Sequence, residues 1–594
     1  MPRISRVLFR YAYRVARCIY RKLPIPGTIQ KRIAGMISPE PIVIPVSQSV
    51  MPDSQWIVAS EPTGADLEEQ RGFVFPVSPL ITLVLPITEA PHESITELFQ
   101  SLKAQTYKKW ELHIINKSGK KCSGLRKLCR SDKRIRYHCW REPKIRGEYV
   151  GFMKQNYTMA AFALYEVVRL INENSINESS DADLIYCDED RIDENIRYEP
   201  QLKPDFSPDT LLSTNYIESF FFIKRELLGN LSKKLNIKKY FDETRYIELV
   251  LRSCEHTRNI SHIPKILVHK RYNKDYSAQE LDLITKRNSV IIQEYVERQW
   301  GLGSTVTYME GNGTYCVVPE VVGRPKVSII IPNKDGAEIL RVCVESIINL
   351  TTYDNYEIVV IENNSENKET FSLYSELETM QGIRVLHYPD KGFNYHKIIN
   401  FGVKNCETDF ILQLNNDTEL LTPCWLELML GYAQRSDVGA VGVRLLYTDM
   451  SVQHVGGVLY PDDRLSEHMF LKLPGDAAGY MNRARIIQNV SWVTGACMMS
   501  RKDIYEQVDF MDEEFEVNLG DLDFCMKIRT LGKLIVVNPF VELIHFESKT
   551  RGYNDIPENQ ALFDKEKDLF LRKWGKIPEK GDPYYNPGID RLLL

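Results

Sequence analysis

The feature that most constrains the fold is an order of strands and helices that occurs twice in the chain. The segments ITLVLPI, from Ile81, and VSIIIPN, from Val327, are short β-branched runs with a proline near the end. Each is followed by a helical pattern and a second strand, WELHIIN from Trp110 or YEIVVIE from Tyr356. Strands that alternate with amphipathic helices indicate βαβ units and a parallel sheet. The repetition predicts two tandem α/β domains.

The length of 594 residues supports more than one hydrophobic core. We divide the chain into a basic helix and a linker with little regular structure (1–79), a first repeat (80–310), a second repeat (320–555) and a C-terminal helix and tail (556–594). The helix of the last segment is predicted from the amphipathic stretch PENQALFDKEKDLFLRKWGKI, which we expect to pack on the second repeat.

Charge and cysteine usage exclude some classes of protein. A formal net charge of -5 argues against a nucleic-acid binder, which needs a basic surface to neutralise phosphates. The twelve cysteines show no CxxC pair and no zinc-like spacing, so we predict free thiols in a reducing compartment. No apolar run reaches the roughly 18 to 20 residues that span a bilayer, and the N-terminus lacks a signal-peptide stretch. We therefore expect a cytoplasmic protein.

The N-terminal segment MPRISRVLFRYAYRVARCIYRK predicts an amphipathic helix with a basic flank. Apolar residues recur at helical spacing beside arginines that include Arg3, Arg6, Arg10 and Arg14. Such a helix can lie in the headgroup region of an anionic membrane, which would place the protein peripherally on the inner face of the cell membrane. The alternative is a helix docked on its own protein with solvated arginines.

Polar and acidic residues follow the strands of the second repeat. Asn333 and Asp335 come after its first strand, and Glu362 and Asn363 come at the end of the second. In open parallel sheets the ligand crevice lies at the C-terminal ends of the strands. A third strand, FILQLNNDTEL from Phe410, runs directly into more such residues, namely Asn415, Asn416 and Asp417. Oxygen ligands of this kind suit Mg²⁺ or Mn²⁺, although a turn or a helix N-cap also explains NNDTE.

Longer motifs between Val327 and about Gly552 carry a family resemblance. They are VSIIIPNKD, EIVVIENNS, KGFNYHKIINFGVKNCETDFILQLNNDTE, QHVGGVL, WVTGACMMSRKDIYEQVDFMDEEFEVNLGDLDFCMKIRTLGK and HFESKTRG. In order and spacing they resemble inverting glycosyltransferase family 2, and particularly bacterial enzymes that build O-antigen and related surface polysaccharides. The resemblance implies a GT-A (Rossmann-like) fold, a nucleotide-sugar donor and a metal ion, Mg²⁺ or Mn²⁺. It makes the second repeat the catalytic domain.

The resemblance also implies roles for individual residues. Asp417 matches the metal-binding carboxylate of the DxD site, in which Asn415 replaces the first aspartate, and His545 matches an imidazole near the metal. Asp521 matches the general base and Asp523 its supporting neighbour, although Gly520 stands where many relatives have Glu or Asn. The residues expected to bind the donor are Pro332, Asn333, Asp335, Glu362, Asn363, Asn415, Asn416 and Gly495.

The first repeat resembles the same family but departs from it at the site. Met153, Lys154 and Gln155 stand where relatives have an acidic DxD, and a lysine there opposes a divalent cation. The segment between Arg136 and Gly147 is short, and Tyr246 takes the place of the base aspartate. We therefore predict a degenerate domain that serves as a scaffold, an acceptor-binding surface or a dimerisation unit. The acidic run Asp188, Glu189 and Asp190 is either a second metal site or, as we prefer, a packing element.

The function expected from these residues is inverting sugar transfer to a lipid-linked or oligosaccharide acceptor of a growing surface polysaccharide. A homodimer is one expected assembly. Two rivals remain at this point. One is a non-catalytic glycan-binding or scaffold protein, which Asn415 and Gly520 favour. The other is a nucleotidyltransferase, which usually shows a glycine-rich basic phosphate loop, and PNKDGAEIL fits that loop poorly.

Overall fold

The computed structural model describes most of the chain beyond residue 60. The described residues are 61–87, 95–116, 125, 129–130, 132–139, 143–176, 182–193, 196–234, 245–271, 278–309, 313–546, 557–575 and 581–590. The predicted basic N-terminal helix lies outside them. Residues 51–594 belong to one compact unit. None of the helices within the described ranges is both long enough and apolar enough to cross a membrane.

Helices occur between most strands. In chain order they are α1 (Gly64–Gly72), α2 (Ile95–Ala104), α3 (Ala163–Ile176), α4 (Pro208–Ser213), α5 (Arg225–Lys234), α6 (Tyr246–Cys254), α7 (Ala278–Trp300), α8 (Ala337–Leu350), α9 (Lys368–Leu377), α10 (Tyr395–Lys404), α11 (Trp425–Ala433), α12 (Lys502–Gln507), α13 (Gly520–Thr530) and α14 (Pro557–Trp574). A short 3₁₀ turn spans Tyr480–Asn482. Helix α14 lies where the sequence pattern predicts a C-terminal helix.

Helix α1 corrects one expectation, because it lies inside the segment predicted to be a linker with little regular structure. Its start is fixed by a capping box: the Thr63 side chain accepts from the Asp66 backbone N–H, and the Asp66 carboxylate accepts from the Thr63 N–H. Reciprocal capping of this kind satisfies two backbone donors that a helix start otherwise leaves open. The Thr-Gly-Ala-Asp spacing was the signal for it in the sequence.

The strands are, in chain order, β1 (Ile81–Ile87), β2 (Trp110–Asn116), β3 (Ile135–Cys139), β4 (Tyr149–Phe152), β5 (Tyr157–Met159), β6 (Leu184–Asp193), β7 (Ile196–Gln201), β8 (Phe221–Lys224), β9 (Ile260–Arg271), β10 (Thr305–Met309), β11 (Thr314–Val318), β12 (Val327–Asn333), β13 (Tyr356–Glu362), β14 (Ile383–His387), β15 (Phe410–Leu414), β16 (Thr418–Leu420), β17 (Val438–Leu446), β18 (Val452–His454), β19 (Gly457–Leu459), β20 (Ser466–His468), β21 (Gln488–Asn489), β22 (Cys497–Arg501) and β23 (Leu534–His545).

Two large sheets have the same strand order. The first runs β3-β2-β1-β4-β8-β6-β9-β5, and the second runs β14-β13-β12-β15-β22-β17-β23-β16. In each sheet the leading strands are parallel, and the next pairing, β4 with β8 or β15 with β22, is antiparallel. The fold is therefore mixed α/β, and the repeated topology agrees with the repeated sequence pattern. The division into separate domains stays a prediction, because both sheets lie in one compact unit.

The core of the second repeat explains why its strand ends are held in place. Strand β15 is buried along its whole length, between β12 on one side and β22 on the other. Helix α8 covers the sheet with Leu340, Cys343, Val344 and Ile347, which follow the i, i+3, i+4, i+7 spacing of one helix face. Burial of each large aliphatic side chain contributes about 1.5–3 kcal/mol, so the polar ends of the strands sit on a rigid base.

Candidate active site

The C-terminal ends of β12, β13 and β15 form one polar edge. The parallel register of β12 and β13 places Asn333 opposite Glu362. Asn416 Nδ2 donates to Asn333 Oδ1 at 2.6 Å, and the Asn363 N–H donates to the Asn333 carbonyl at 2.9 Å. Four of the residues predicted to bind the donor are thus tied together through Asn333.

The turn after β15 places Asp417 beside His545. Thr418 Oγ1 donates to the Asn415 carbonyl at 2.9 Å and turns the chain into β16. In β16, Thr418 pairs with His545 of β23, and the Phe546 N–H donates to the Asp417 carbonyl at 2.9 Å. These two strand ends are 127 to 130 residues apart in sequence (545 − 418 and 545 − 415), so the antiparallel register and not local spacing creates the pair.

Asp417 and His545 form the candidate metal group. Asp417 Oδ1 lies 3.1 Å from His545 Nε2, and Asn415 Nδ2 lies 3.3 Å from the same nitrogen. His545 Nδ1 lies 2.7 Å from Gln453 Oε1, which only accepts hydrogen bonds, so the Nδ1 atom carries a proton. In the neutral ring Nε2 is then an acceptor, which the Asn415 Nδ2 group faces. A second hydrogen-bond partner that fixes the tautomer in this way is typical of metal-ligating histidines.

This group fits a divalent ion that is shared with a substrate. Within the described ranges no cluster of three or more His, Cys, Asp or Glu side chains is arranged to hold a metal. Asp417 and His545 would supply two ligands to such an ion. Mg²⁺ in nucleotide enzymes is commonly held by one or two carboxylates together with waters and substrate phosphates. The residues present therefore suit an ion that binds with a diphosphate better than a permanently caged ion.

Tyr395 connects the metal group to Asp521. Its hydroxyl lies 3.1 Å from Asn415 Oδ1 and 3.1 Å from the Gly495 carbonyl, and the Gly495 N–H donates to Asp521 Oδ2 at 3.0 Å. Burial, followed by the charge of Asp521, raises the pKa of the Tyr395 hydroxyl well above its usual range. The hydroxyl therefore stays protonated and acts as a hydrogen-bond donor. Metal group and candidate base belong to one network.

Asp523 lies apart from this network. Its side chain is fully buried on α13, where Oδ1 accepts from Trp574 Nε1 at 2.7 Å and pairs with Lys573 Nζ at 2.7 Å. The structure thus places this predicted catalytic residue against the C-terminal helix and not at the strand ends. The helical spacing accounts for the difference, because residues two apart on a helix point in different directions. We keep Asp521 alone as the candidate base.

Asp335 and Glu362 hold the loop that follows β13. Asp335 Oδ1 accepts from the backbone N–H groups of Glu366 and Asn367 at 2.9 and 2.8 Å, and Glu362 Oε1 accepts from the Ser365 N–H at 2.5 Å. These carboxylates shape the loop before α9. Pro332 stands opposite Ile361 in the parallel register.

Tyr395 and Gln453 are the site residues that the sequence analysis missed. Both lie in motifs of the family resemblance, KGFNYHK and QHVGGVL, but neither spacing nor residue type singled them out. A tyrosine at the start of a helix and a glutamine in a short strand have many ordinary uses. The hydrogen bonds to Asn415, Gly495 and His545 are long-range contacts that only the fold reveals.

Gly520, which departs from the family pattern, has a local explanation. A Cβ at Gly520 would lie 2.0 Å from His396 Nε2. The His396 ring is buried, and its Nδ1 atom donates to the Phe515 carbonyl at 2.7 Å. The imidazole therefore fills the space that a larger side chain at position 520 would need.

This contact makes Gly520→Ala a sharp test of the geometry around Asp521. Overpacking of a filled site costs about 1–3 kcal/mol, so we expect a lower free energy of unfolding in denaturant titrations. Gly229→Ala is the matched control, because a Cβ there meets nothing within 4 Å. The double variant Gly520→Ala with His396→Ala should cost less than the sum of the two single changes. Equal stability of Gly520→Ala and Gly229→Ala would contradict the contact.

Different side chains occupy the corresponding place in the first repeat. Met153 follows β4 and is fully buried, and the Tyr246 hydroxyl donates to its carbonyl at 3.1 Å. Tyr157 of β5 pairs with Lys270, so a lysine stands in the first sheet where His545 stands in the second. Glu218 carries the balancing charge, 3.5 Å from Lys270 Nζ. These residues are unsuited to a divalent cation.

The acidic run of the first repeat is occupied by protein contacts. Asp188 accepts from the Lys203 N–H and from Asn586 Nδ2, Glu189 pairs with Lys203 Nζ at 3.0 Å, and Asp190 Oδ1 lies 2.7 Å from His269 Nδ1. All three acidic side chains are buried. Buried carboxylates that are paired in this way indicate packing, as the sequence analysis preferred.

Comparisons with known proteins identify a family for part of the second repeat. Residues 328–509 match the model of Glycosyl transferase family 2. The O-antigen biosynthesis protein RfbC of Myxococcus xanthus is 32% identical over 554 residues, which cover 90% of this chain and 42% of that protein. Protein y4gI of Sinorhizobium fredii, described as uncharacterized, is 32% identical over 539 residues, which cover 86% of this chain and 58% of that protein. The chain spans about half the length of these curated relatives.

Among solved structures, the mannosyltransferase PcManGT from Pyrobaculum calidifontis in complex with GDP-Man and Mn²⁺ matches 48% of this chain and 74% of its own, with 16% identity and a TM-score of 0.31. That TM-score is too low to support a conclusion. The family match covers β12 to α12 and includes Asn333, Glu362 and Asp417. The second repeat therefore carries a domain that matches Glycosyl transferase family 2.

Proposed function

We propose that the second repeat is an inverting, divalent-metal-dependent glycosyltransferase. The sugar would come from a nucleotide-sugar donor and pass to an acceptor of a surface polysaccharide. The observation that carries this proposal is the single network that joins Asp417, His545 and Asn415 to Asp521 through Tyr395 and Gly495. The acceptor class rests on the similarity to the O-antigen biosynthesis protein RfbC.

The proposed reaction is a single displacement at the anomeric carbon. The acceptor hydroxyl oxygen forms a bond to that carbon while the bond to the diphosphate oxygen breaks, and Asp521 takes the hydroxyl proton. Attack from the face opposite the leaving group inverts the configuration. Asp417 and His545 would hold the Mg²⁺ or Mn²⁺, which offsets negative charge on the departing nucleoside diphosphate.

The residues of this chain also explain how one site would serve both substrates. Asn333, Asn416 and Glu362 lie at the strand ends, where the nucleotide part of the donor would bind. Asp521 accepts from the N–H groups of Gly495 and Leu522, at 3.0 and 2.8 Å, and these bonds hold its carboxylate in one orientation.

A panel assay tests the proposal. Purified protein is incubated with individual nucleotide sugars, Mn²⁺ and a mixture of oligosaccharide acceptors, and release of nucleoside diphosphate is followed with and without a chelator. We expect release with one donor class, abolished by the chelator. Glycan binding without release from any donor would instead support the scaffold function, which the missing charge at Asn415 favours.

A further inference from the structure

The C-terminal helix α14 holds the segment that precedes Asp521. Glu566 of α14 is completely buried. Its carboxylate accepts hydrogen bonds from the backbone N–H groups of Glu516, Val517 and Asn518, the last two at 3.0 and 2.7 Å, and from Asn518 Nδ2 at 2.8 Å. A buried charge is costly unless it is fully hydrogen-bonded, so this arrangement strongly favours one loop conformation.

The same helix holds α13 on the other side of Asp521. Trp574 and Lys573, near the end of α14, bind the buried Asp523 carboxylate at 2.7 Å each. Phe570, between the two contact points, is fully buried in the core of the second repeat. Residues 519–522 are therefore fixed from both ends by a helix that follows them in sequence.

The backbone between these two contacts is strained. Leu519, the residue before α13, has a φ of 58°, in the left-handed region that side chains with a Cβ rarely adopt. Such conformations persist only where the surrounding structure enforces them, and they are found at functional sites. The contacts of Glu566 and Asp523 lie within four residues of Leu519 and supply this enforcement.

We propose that α14 is a positioning element for the catalytic base, in which Glu566 and Trp574 act through the backbone of residues 516–523 to aim Asp521. The inference rests on the proposed function, because it takes Asp521 as the base. Of the residues expected to bind the donor, Gly495 contacts Asp521 through its backbone N–H, whereas Asn333 and Asn416 belong to other strand ends. Loss of the α14 contacts therefore changes proton removal and not donor binding.

The test compares Glu566→Gln with Asp568→Asn, a control at an exposed position of the same helix. Hydrogen exchange of the backbone amides is measured together with kcat and KM for the donor found in the panel. In Glu566→Gln we expect faster hydrogen exchange of residues 516–522 and an unchanged donor KM. We also expect kcat to fall about 10- to 100-fold, because misplacement of a reacting group by about 1 Å has effects of this size. Asp568→Asn should match the wild type.

Trp574→Phe provides a second variant in case Glu566→Gln folds poorly, since it removes one hydrogen bond to Asp523 and keeps an aromatic ring in the core. It should show the same separation of kcat from KM. The inference would be overturned by any of three results. These are unchanged hydrogen exchange at residues 516–522, hydrogen exchange raised equally across β12 and β15, and a raised donor KM at normal kcat. If the wild type shows no turnover, the proposed function is overturned. If the wild type is active and the variants show normal hydrogen exchange, only the role of α14 is overturned.

Discussion

Asp521→Asn is expected to lower kcat by about 10²- to 10⁴-fold, the usual contribution of a positioned general base. The amide keeps the size of the side chain but cannot take the acceptor proton. Asn333, Asn416 and Asp417 are untouched, so the donor should bind as in the wild type. Turnover is measured by nucleoside diphosphate release, and donor affinity by calorimetry with Mn²⁺ present.

The control for this change is Asp568→Asn, which makes the same chemical replacement at an exposed position of α14. A near-normal rate in Asp521→Asn would exclude Asp521 as the base. A parallel loss of donor affinity would show instead that the carboxylate acts in donor binding.

Asp417→Asn is expected to reduce turnover at least about 100-fold and to weaken binding of Mn²⁺ in the presence of nucleoside diphosphate. Metal stabilisation of a departing diphosphate contributes several kcal/mol, and each 1.36 kcal/mol corresponds to a tenfold change in rate. Asn415 brings no charge to the group, so the Asp417 carboxylate would be the principal anionic ligand of the proposed metal ion. Raising the Mn²⁺ concentration should recover part of the activity.

Asp188→Asn in the first repeat is the comparison for Asp417→Asn. Asp188 is buried and bonded to Lys203 and Asn586, so its replacement should lower stability while turnover per folded molecule stays close to that of the wild type. Equal losses of specific activity in the two variants would mean that the first repeat takes part in the chemistry.

The sequence predicted the repeated sheet well because strand periodicity and the alternation of strands with helices can be read along the chain. The buried runs Val327–Asn333 and Tyr356–Glu362 form strands with the same bounds that their β-branched pattern suggested. The capping box of Thr63 and Asp66 is also a local signal. It lies in a Pro- and Ser-rich stretch, whose composition favours a linker.

Most residues of the candidate site could be named from the sequence, but the contacts between them could not. Motif spacing pointed to Asp417, Asp521 and His545, whereas the contacts through Tyr395 and Gln453 depend on the register of β16 with β23 and on where α10 packs. Asp523 shows that a motif does not fix the direction of a side chain. Asp521 contacts Gly495, whereas Asp523, two residues later, contacts Trp574. Roles that depend on the direction of a side chain need the fold.

The most direct test of the account is the position of Mn²⁺ and nucleoside diphosphate in crystals of this protein, located by anomalous scattering. We predict one Mn²⁺ peak within coordination distance of Asp417 and His545, in contact with the diphosphate, and no such peak in crystals of Asp417→Asn. An ordered diphosphate with its Mn²⁺ at another place, such as the Asp188 run of the first repeat, would contradict the account.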